Sequence, residues 1–170
     1  TTLIGNDCQA VDLRNSLPGA EDYAPRDLSP IRSLVVHHSA TSRDLAPHEI
    51  ALYHVGTLEW PGISYHFLVH QGGRIDYVGA ILTIRYNVAR RTHEVIGVCL
   101  PGDFTHHPPL PAQLEAARHL LANLQFALGW FVPIVGHRDI ALPGCATACP
   151  GDTWPQWEDA LVGPDSLAPP

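Results

Sequence analysis

Two short apolar runs in this chain end in histidine, and they limit the folds that it can adopt. The runs are IRSLVVHHSAT at 31–41 and FVPIVGH at 131–137. Each is compact and rich in β-branched residues, a pattern that predicts a buried strand. VIGVCLPG at 95–102 predicts another buried strand. GISYHFLVHQGGRIDYVG at 62–79 predicts a β-hairpin that turns around Gln71, Gly72 and Gly73.

Two other segments have helical spacing. LAPHEIALYHVGT at 45–57 follows Asp44, a candidate cap, and its apolar positions are Ile50, Leu52 and Val55. PAQLEAARHLLANLQFALG at 111–129 begins with proline and ends with glycine. Its apolar residues recur every three or four positions, at Leu114, Ala117, Leu121, Leu124 and Leu128. Strands mixed with helices predict an α/β fold: a single domain with a central mixed β-sheet flanked by helices.

The 170-residue length suits one domain, and no long linker divides the chain. We expect residues 1–30 to form an extended arm packed on the core. Residues 31–157 then form the domain that carries the site, and residues 158–170 form a short C-terminal tail. No apolar run reaches the roughly 18 residues of a membrane span, and no signal-peptide pattern is visible. Because the chain begins at Thr1 without methionine, the lack of a signal-peptide pattern does not fix where the protein is located.

Charge limits the partners. The net charge is −7, and the ten basic residues are all arginine. A duplex-binding surface is basic, so we expect no nucleic acid partner, and we expect no membrane partner either. A monomer is the default for a compact domain. Eleven histidines against four cysteines point instead to metal or proton chemistry.

The histidines at the strand ends suggest where that chemistry lies. His37 and His137 end two predicted strands, and Cys149 follows His137 in GHRDIALPGCATACPG. Strand ends at one edge of a sheet are where open α/β folds build sites. Two imidazoles and one thiolate leave a zinc ion one open position, as in catalytic sites. From spacing alone, hydrogen-bonded structural histidines and a buried thiol remain equally open interpretations.

Four motifs in order, VVHHSAT, GISYHFLV, VIGVCLPGDF and VGHRDI…ATACPG, resemble the type 2 N-acetylmuramoyl-L-alanine amidases. That superfamily includes the T7-type phage lysozyme amidases and the peptidoglycan recognition proteins. The resemblance covers roughly residues 11–157, including DLRNSLP in the arm. It implies an amidase-2 fold and one zinc ion held by His37, His137 and Cys149. It also implies bacterial peptidoglycan as the partner and the cell wall as the place of action. His38 is expected to point to the other face of its strand.

The resemblance also implies roles for other side chains. Tyr65 matches the catalytic tyrosine of the family, and its phenol would donate to the developing oxyanion. Thr147 lies where phage amidases carry lysine and recognition proteins often carry threonine, so its hydroxyl is a second candidate donor. Four residues are candidates for the walls of a substrate groove: His54, Trp60, His66 and His93.

The chain departs from the family at several points. Cys99 stands where recycling amidases carry glutamate, and we expect it to be a core thiol. The GAH or SHA motif is replaced by YNVARRTHEV, in which Asn87, His93 and Glu94 are either groove contacts or ordinary loop residues. With Cys149 on zinc, Cys8 and Cys145 remain, and a disulfide between them is an open alternative.

The function implied is zinc-dependent hydrolysis of the amide between N-acetylmuramic acid and L-alanine, as in a lytic endolysin of a phage or prophage. The alternative is a peptidoglycan-binding recognition module without catalysis. Such modules commonly lose the cysteine ligand, which this chain keeps. A third interpretation is a cysteine peptidase that uses Cys149 with His137 and needs no metal.

Overall fold

The computed structural model describes residues 9–19 and 22–162, which contain a mixed six-stranded sheet. In chain order the strands are β1 (Ala10–Asp12), β2 (Ser33–His38), β3 (Phe67–Val69), β4 (Ile75–Tyr77), β5 (Val95–Leu100) and β6 (Ile134–Gly136). Across the sheet the order is β1-β4-β3-β5-β2-β6. Among these strand pairs, only the β3–β4 hairpin is antiparallel. The predicted single α/β domain with a mixed sheet is confirmed.

Helices cover both faces of this sheet. They are α1 (Pro47–Gly56), α2 (Pro111–Leu128), α3 (His137–Ile140) and α4 (Glu158–Leu161), with short 3₁₀ turns at Thr92–Glu94 and Trp154–Gln156. The buried leucines of α2 pack with Leu34 and Val36 of β2 in the larger core cluster. Ile50 and Ala51 of α1 pack with Cys99 of β5 in a second cluster. No helix of the described ranges is long and apolar enough to cross a membrane.

Alternation along β2 sets the direction of the two adjacent histidines. Since Val36 faces α2, its neighbour His37 faces the α1 side of the sheet. His38 returns to the α2 side, where its Nδ1 accepts a hydrogen bond from the Phe104 N–H at 3.4 Å. The two histidines therefore have different surroundings, and His38 points away from His37 as expected.

Three local details differ from the sequence expectations. The N-terminal arm contributes edge strand β1, which no pattern predicted, and the C-terminal segment contains α4 with Leu161 buried. In α1, the Glu49 carboxylate accepts the Ala46 N–H at 2.9 Å, whereas Asp44 binds His70 at 2.8 Å and does not cap the helix. Leu52, expected on the apolar stripe, is 52% exposed. The segment boundaries at 30 and 157 stay a prediction.

Candidate metal centre

The register of the central strands brings two histidines together. Val36 of β2 pairs with Gly136 of β6 in a parallel ladder, so the next residues, His37 and His137, lie side by side. Their ring centroids are 4.8 Å apart. His37 is 1% exposed, and His137 is the first residue of α3, directly after β6.

Cys149 completes the group from the loop after α3. The Arg138 N–H donates to the Cys149 carbonyl oxygen at 2.8 Å, which fastens this loop to the turn that carries His137. Cys149 Sγ lies 3.7 Å from His37 Nδ1. One donor atom from each of His37, His137 and Cys149 lies within 4.8 Å of the others, so the group could hold a metal ion. Two imidazoles and one thiolate suit zinc with one position left open.

The turn that begins at His137 is held by a carboxylate. Asp139 Oδ2 accepts the Gly136 N–H at 2.7 Å and the Trp154 Nε1–H at 2.8 Å. Trp154 is 2% exposed, so this bond ties the ligand-bearing turn to the core. Asp139 thus orients the turn from which His137 projects.

Burial sets the protonation of these donors. Burial and the adjacent His137 hold the pKa of His37 well below its usual range, so its imidazole is neutral. Burial raises the pKa of the Cys149 thiol to about 12, although the His38 backbone N–H, 3.4 Å from Sγ, acts to lower it. A bound cation would favour the thiolate at this position. The group is therefore suited to a cation rather than to a metal-free nucleophile.

His37, His137 and Cys149 form the metal group, the set of side chains that could hold an ion. They line a cavity of about 400 Å³, together with residues that the sequence did and did not predict. His54, Trp60, Tyr65 and Thr147 line it, as does Tyr86, which sequence reasoning did not select. Trp60 and Tyr86 meet edge to face with centroids 6.1 Å apart, so they form an aromatic wall. A second cavity, about 550 Å³, shares Tyr65 and His54 and runs along α1.

Two side chains with hydroxyl groups, Tyr65 and Thr147, line the cavity beside the metal group. Burial raises the pKa of Tyr65 well above its usual value, so the phenol keeps its proton, and its ring lies 5.2 Å from the His37 ring. Thr147 Oγ1 accepts the Cys149 N–H at 3.1 Å, which leaves its own O–H available. His54 is held differently, because its Nδ1 accepts the Ser64 N–H at 3.1 Å. Its remaining hydrogen is therefore on Nε2.

The structure does not bring His66 or His93 to the cavity that holds the metal group. His66 is fully buried, and its Nδ1 accepts the Gly97 N–H at 3.0 Å while Nε2 lies 3.2 Å from the Thr83 carbonyl oxygen. Both ring nitrogens are thus used inside the protein. The His93 side chain is 58% exposed beside Glu94, on the 3₁₀ turn before β5.

Asn87 is the residue whose place sequence reasoning left undecided. It is 7% exposed, lines the metal cavity, and its Oδ1 lies 3.3 Å from His37 Nε2.

Cys99 is fully buried, as expected of a core thiol. The alternative of a Cys8–Cys145 disulfide lies outside the described residues, because Cys8 is not among them.

Comparison with known proteins gives consistent matches. Residues 27–152 match the family described as N-acetylmuramoyl-L-alanine amidase. A peptidoglycan-recognition protein of Drosophila simulans is 31% identical over 151 residues, which cover 79% of this chain and 80% of that protein. The solved Ph2119 endolysin, from the Thermus scotoductus MAT2119 bacteriophage Ph2119, is 27% identical with a TM-score of 0.76, covering 89% of this chain and 98% of that one. The LysCS endolysin amidase of Clostridium intestinale URNW shares the fold, with a TM-score of 0.74 at 20% identity over 89% of this chain and 92% of that one.

Proposed function

Because the chain belongs to the N-acetylmuramoyl-L-alanine amidase family, we propose that it is a zinc hydrolase of peptidoglycan. The bond cut is the amide between N-acetylmuramic acid and L-alanine. The observation that carries the proposal is the convergence of His37, His137 and Cys149 in one cavity, with Tyr65 beside them. A likeness to a phage endolysin supports a lytic setting.

His37, His137 and Cys149 would hold the ion. When bound, zinc supplies a Lewis acid for the amide carbonyl and lowers the pKa of water. Tyr65 donates its phenolic hydrogen to the oxygen on which negative charge develops. Thr147 offers a second donor, since its oxygen already accepts the Cys149 N–H and its own hydrogen stays available.

The groove residues have separable tasks in this proposal. Burial lowers the pKa of His54 to about 4, so this imidazole is neutral at physiological pH. Its Nε2–H is a donor for a substrate carbonyl rather than a positive charge. Trp60 and Tyr86 provide flat apolar surface for the substrate, and the Trp60 ring lies beside His54, with ring centroids 5.0 Å apart.

Two other functions are less well supported. The relative from Drosophila simulans is named a recognition protein, which favours binding without catalysis. This chain keeps all three donors, which a pure binding module does not need. A cysteine peptidase requires a thiol whose pKa is lowered, whereas burial raises the pKa of Cys149 to about 12.

The test is product analysis of purified peptidoglycan digested with and without a zinc chelator. We expect new L-alanine amino termini and no new reducing sugar ends, with activity lost on chelation and restored by zinc. The His37→Ala variant should be inactive, while His93→Ala, the matched change at an exposed histidine outside the cavity, should retain activity. Cleavage that survives chelation would instead assign Cys149 as a nucleophile. Sedimentation with the wall but no cleavage would support the recognition module.

A further inference from the structure

The amide of Asn87 has only one orientation that satisfies its surroundings. Its Nδ2 lies 3.2 Å from the Ser64 carbonyl oxygen and 2.9 Å from the Arg85 carbonyl oxygen. Both partners can only accept hydrogen bonds, so the atom facing them must be the NH₂ group. The amide oxygen of Asn87 therefore faces the opposite way, toward His37.

This orientation determines the tautomer of the buried histidine. Asn87 Oδ1 lies 3.3 Å from His37 Nε2, and an amide oxygen can only accept. Nε2 therefore carries the hydrogen. Since a neutral imidazole has one N–H, the lone pair is on Nδ1, the atom 3.7 Å from Cys149 Sγ. The nitrogen that faces the other donors is the one able to bind a metal.

Space for this amide is provided by a glycine on the neighbouring strand. A Cβ added to Gly97 of β5 would lie 2.6 Å from both Cγ and Oδ1 of Asn87. Real Cβ contacts are not this short, so a side chain at position 97 and this placement of Asn87 exclude each other. The chain thus has two features that serve one hydrogen bond: an anchored amide and a strand position without a side chain.

We propose that Asn87 is a positioning residue for the metal centre, which holds His37 in the Nε2–H tautomer with Nδ1 directed at the ion. Asn87 lies in YNVARRTHEV, the stretch that replaces the GAH or SHA motif expected from the family resemblance. The inference rests on the zinc site of the proposed function but not on peptidoglycan cleavage. Mutation of a residue that hydrogen-bonds a metal-bound histidine typically lowers metal affinity or activity by about 10–100-fold.

The test measures zinc affinity by competition with a chromogenic chelator, with no substrate present. Asn87→Ala should weaken zinc binding by about 10–100-fold. The matched control is Gln113→Ala, which removes another buried amide that donates to two carbonyl oxygens, those of Val69 and Pro101, neither of which belongs to the metal group. Its zinc affinity should be unchanged. Equal affinity in Asn87→Ala and the parent, or an equal loss in the control, would overturn the proposal.

A second measurement needs no variant and so does not depend on how Asn87→Ala folds. Long-range ¹H–¹⁵N correlation spectra of the histidine rings report the tautomer directly, in the metal-free and zinc-loaded protein. We expect His37 to show a protonated Nε2 in both states. A protonated Nδ1 in the metal-free protein would refute the role of Asn87, whether or not the protein cleaves peptidoglycan. Zinc binding with the expected tautomer but no cleavage would leave this inference standing and refute the amidase.

Discussion

Replacing Asp139 by alanine should destabilise the protein by about 2–3 kcal/mol and loosen the metal group. The carboxylate accepts the Gly136 N–H and the Trp154 Nε1–H at 2.7 and 2.8 Å. Without it, the indole N–H of a residue that is 2% exposed loses its acceptor, at a cost of about 1–3 kcal/mol. Loss of the hydrogen bond that the Gly136 N–H donates at the start of the α3 turn adds roughly 1 kcal/mol. Because Asp139 is exposed to solvent, which weakens both bonds, the expected total loss lies at the lower end of these contributions.

The assay is urea unfolding followed by tryptophan fluorescence, with chelator present so that metal binding does not contribute. Asp139→Asn keeps an oxygen that can accept and should lose only about 1 kcal/mol, the difference between a charged and a neutral acceptor. The matched control is Asp152→Ala, whose side chain is 64% exposed and 3.8 Å from Arg138. It should change stability by less than about 0.5 kcal/mol. An alanine effect at Asp139 no larger than that of the control would refute the reasoning.

Three further predictions follow from the site. Tyr65→Phe should lower kcat on the order of 10²-fold with zinc affinity unchanged, as a lost oxyanion donor does, measured by initial rates and chelator competition. Gly97→Ala should weaken zinc binding by displacing the Asn87 amide, and unchanged affinity by the same competition would contradict the 2.6 Å approach. Burial lowers the pKa of His54 to about 4 in the folded protein, whereas in the unfolded chain this imidazole has its usual pKa of about 6.5. Between these two pH values the unfolded chain therefore binds a proton that the folded protein does not bind. The free energy of unfolding should therefore fall as pH drops from 6.5 to 4, by about 3 kcal/mol from this group, and His54→Gln should flatten that fall in urea titrations at pH 7, 5.5 and 4.

Local patterns in the sequence predicted most of the sheet because they are properties of single segments. The β-branched runs became β2 and β5, and Gly72 and Gly73 lie in the turn of the β3–β4 hairpin. β1 could not be found this way, since it has three residues and pairs with β4, more than sixty residues along the chain. The strand order was likewise not predicted, because it depends on long-range pairing.

The site shows the same division between local signal and tertiary packing. The three donors were named from motifs, and the structure brings them within 4.8 Å of one another. The place of Asn87 could not be read from YNVARRTHEV, because its role depends on two carbonyl oxygens and a glycine. His66 was a groove candidate because of its motif, but it does not line the cavity of the metal group. Hydrogen bonds to the Gly97 N–H and the Thr83 carbonyl oxygen hold its ring inside the protein.

The metal group forms only if β2 pairs with its neighbouring strands in the observed register. A slip of β2 by one residue would turn His37 to the α2 side and bring His38 to the groove, because side chains alternate between faces. β2 pairs with β5 from Ser33 to His38 on one side and with β6 on the other. Leu34 and Val36 are also fully buried against α2, so a slip would place His37 in an apolar core. Two ladders and a buried face thus oppose the slip together. This accounts for two donors that lie one hundred residues apart in sequence but side by side at adjacent strand ends.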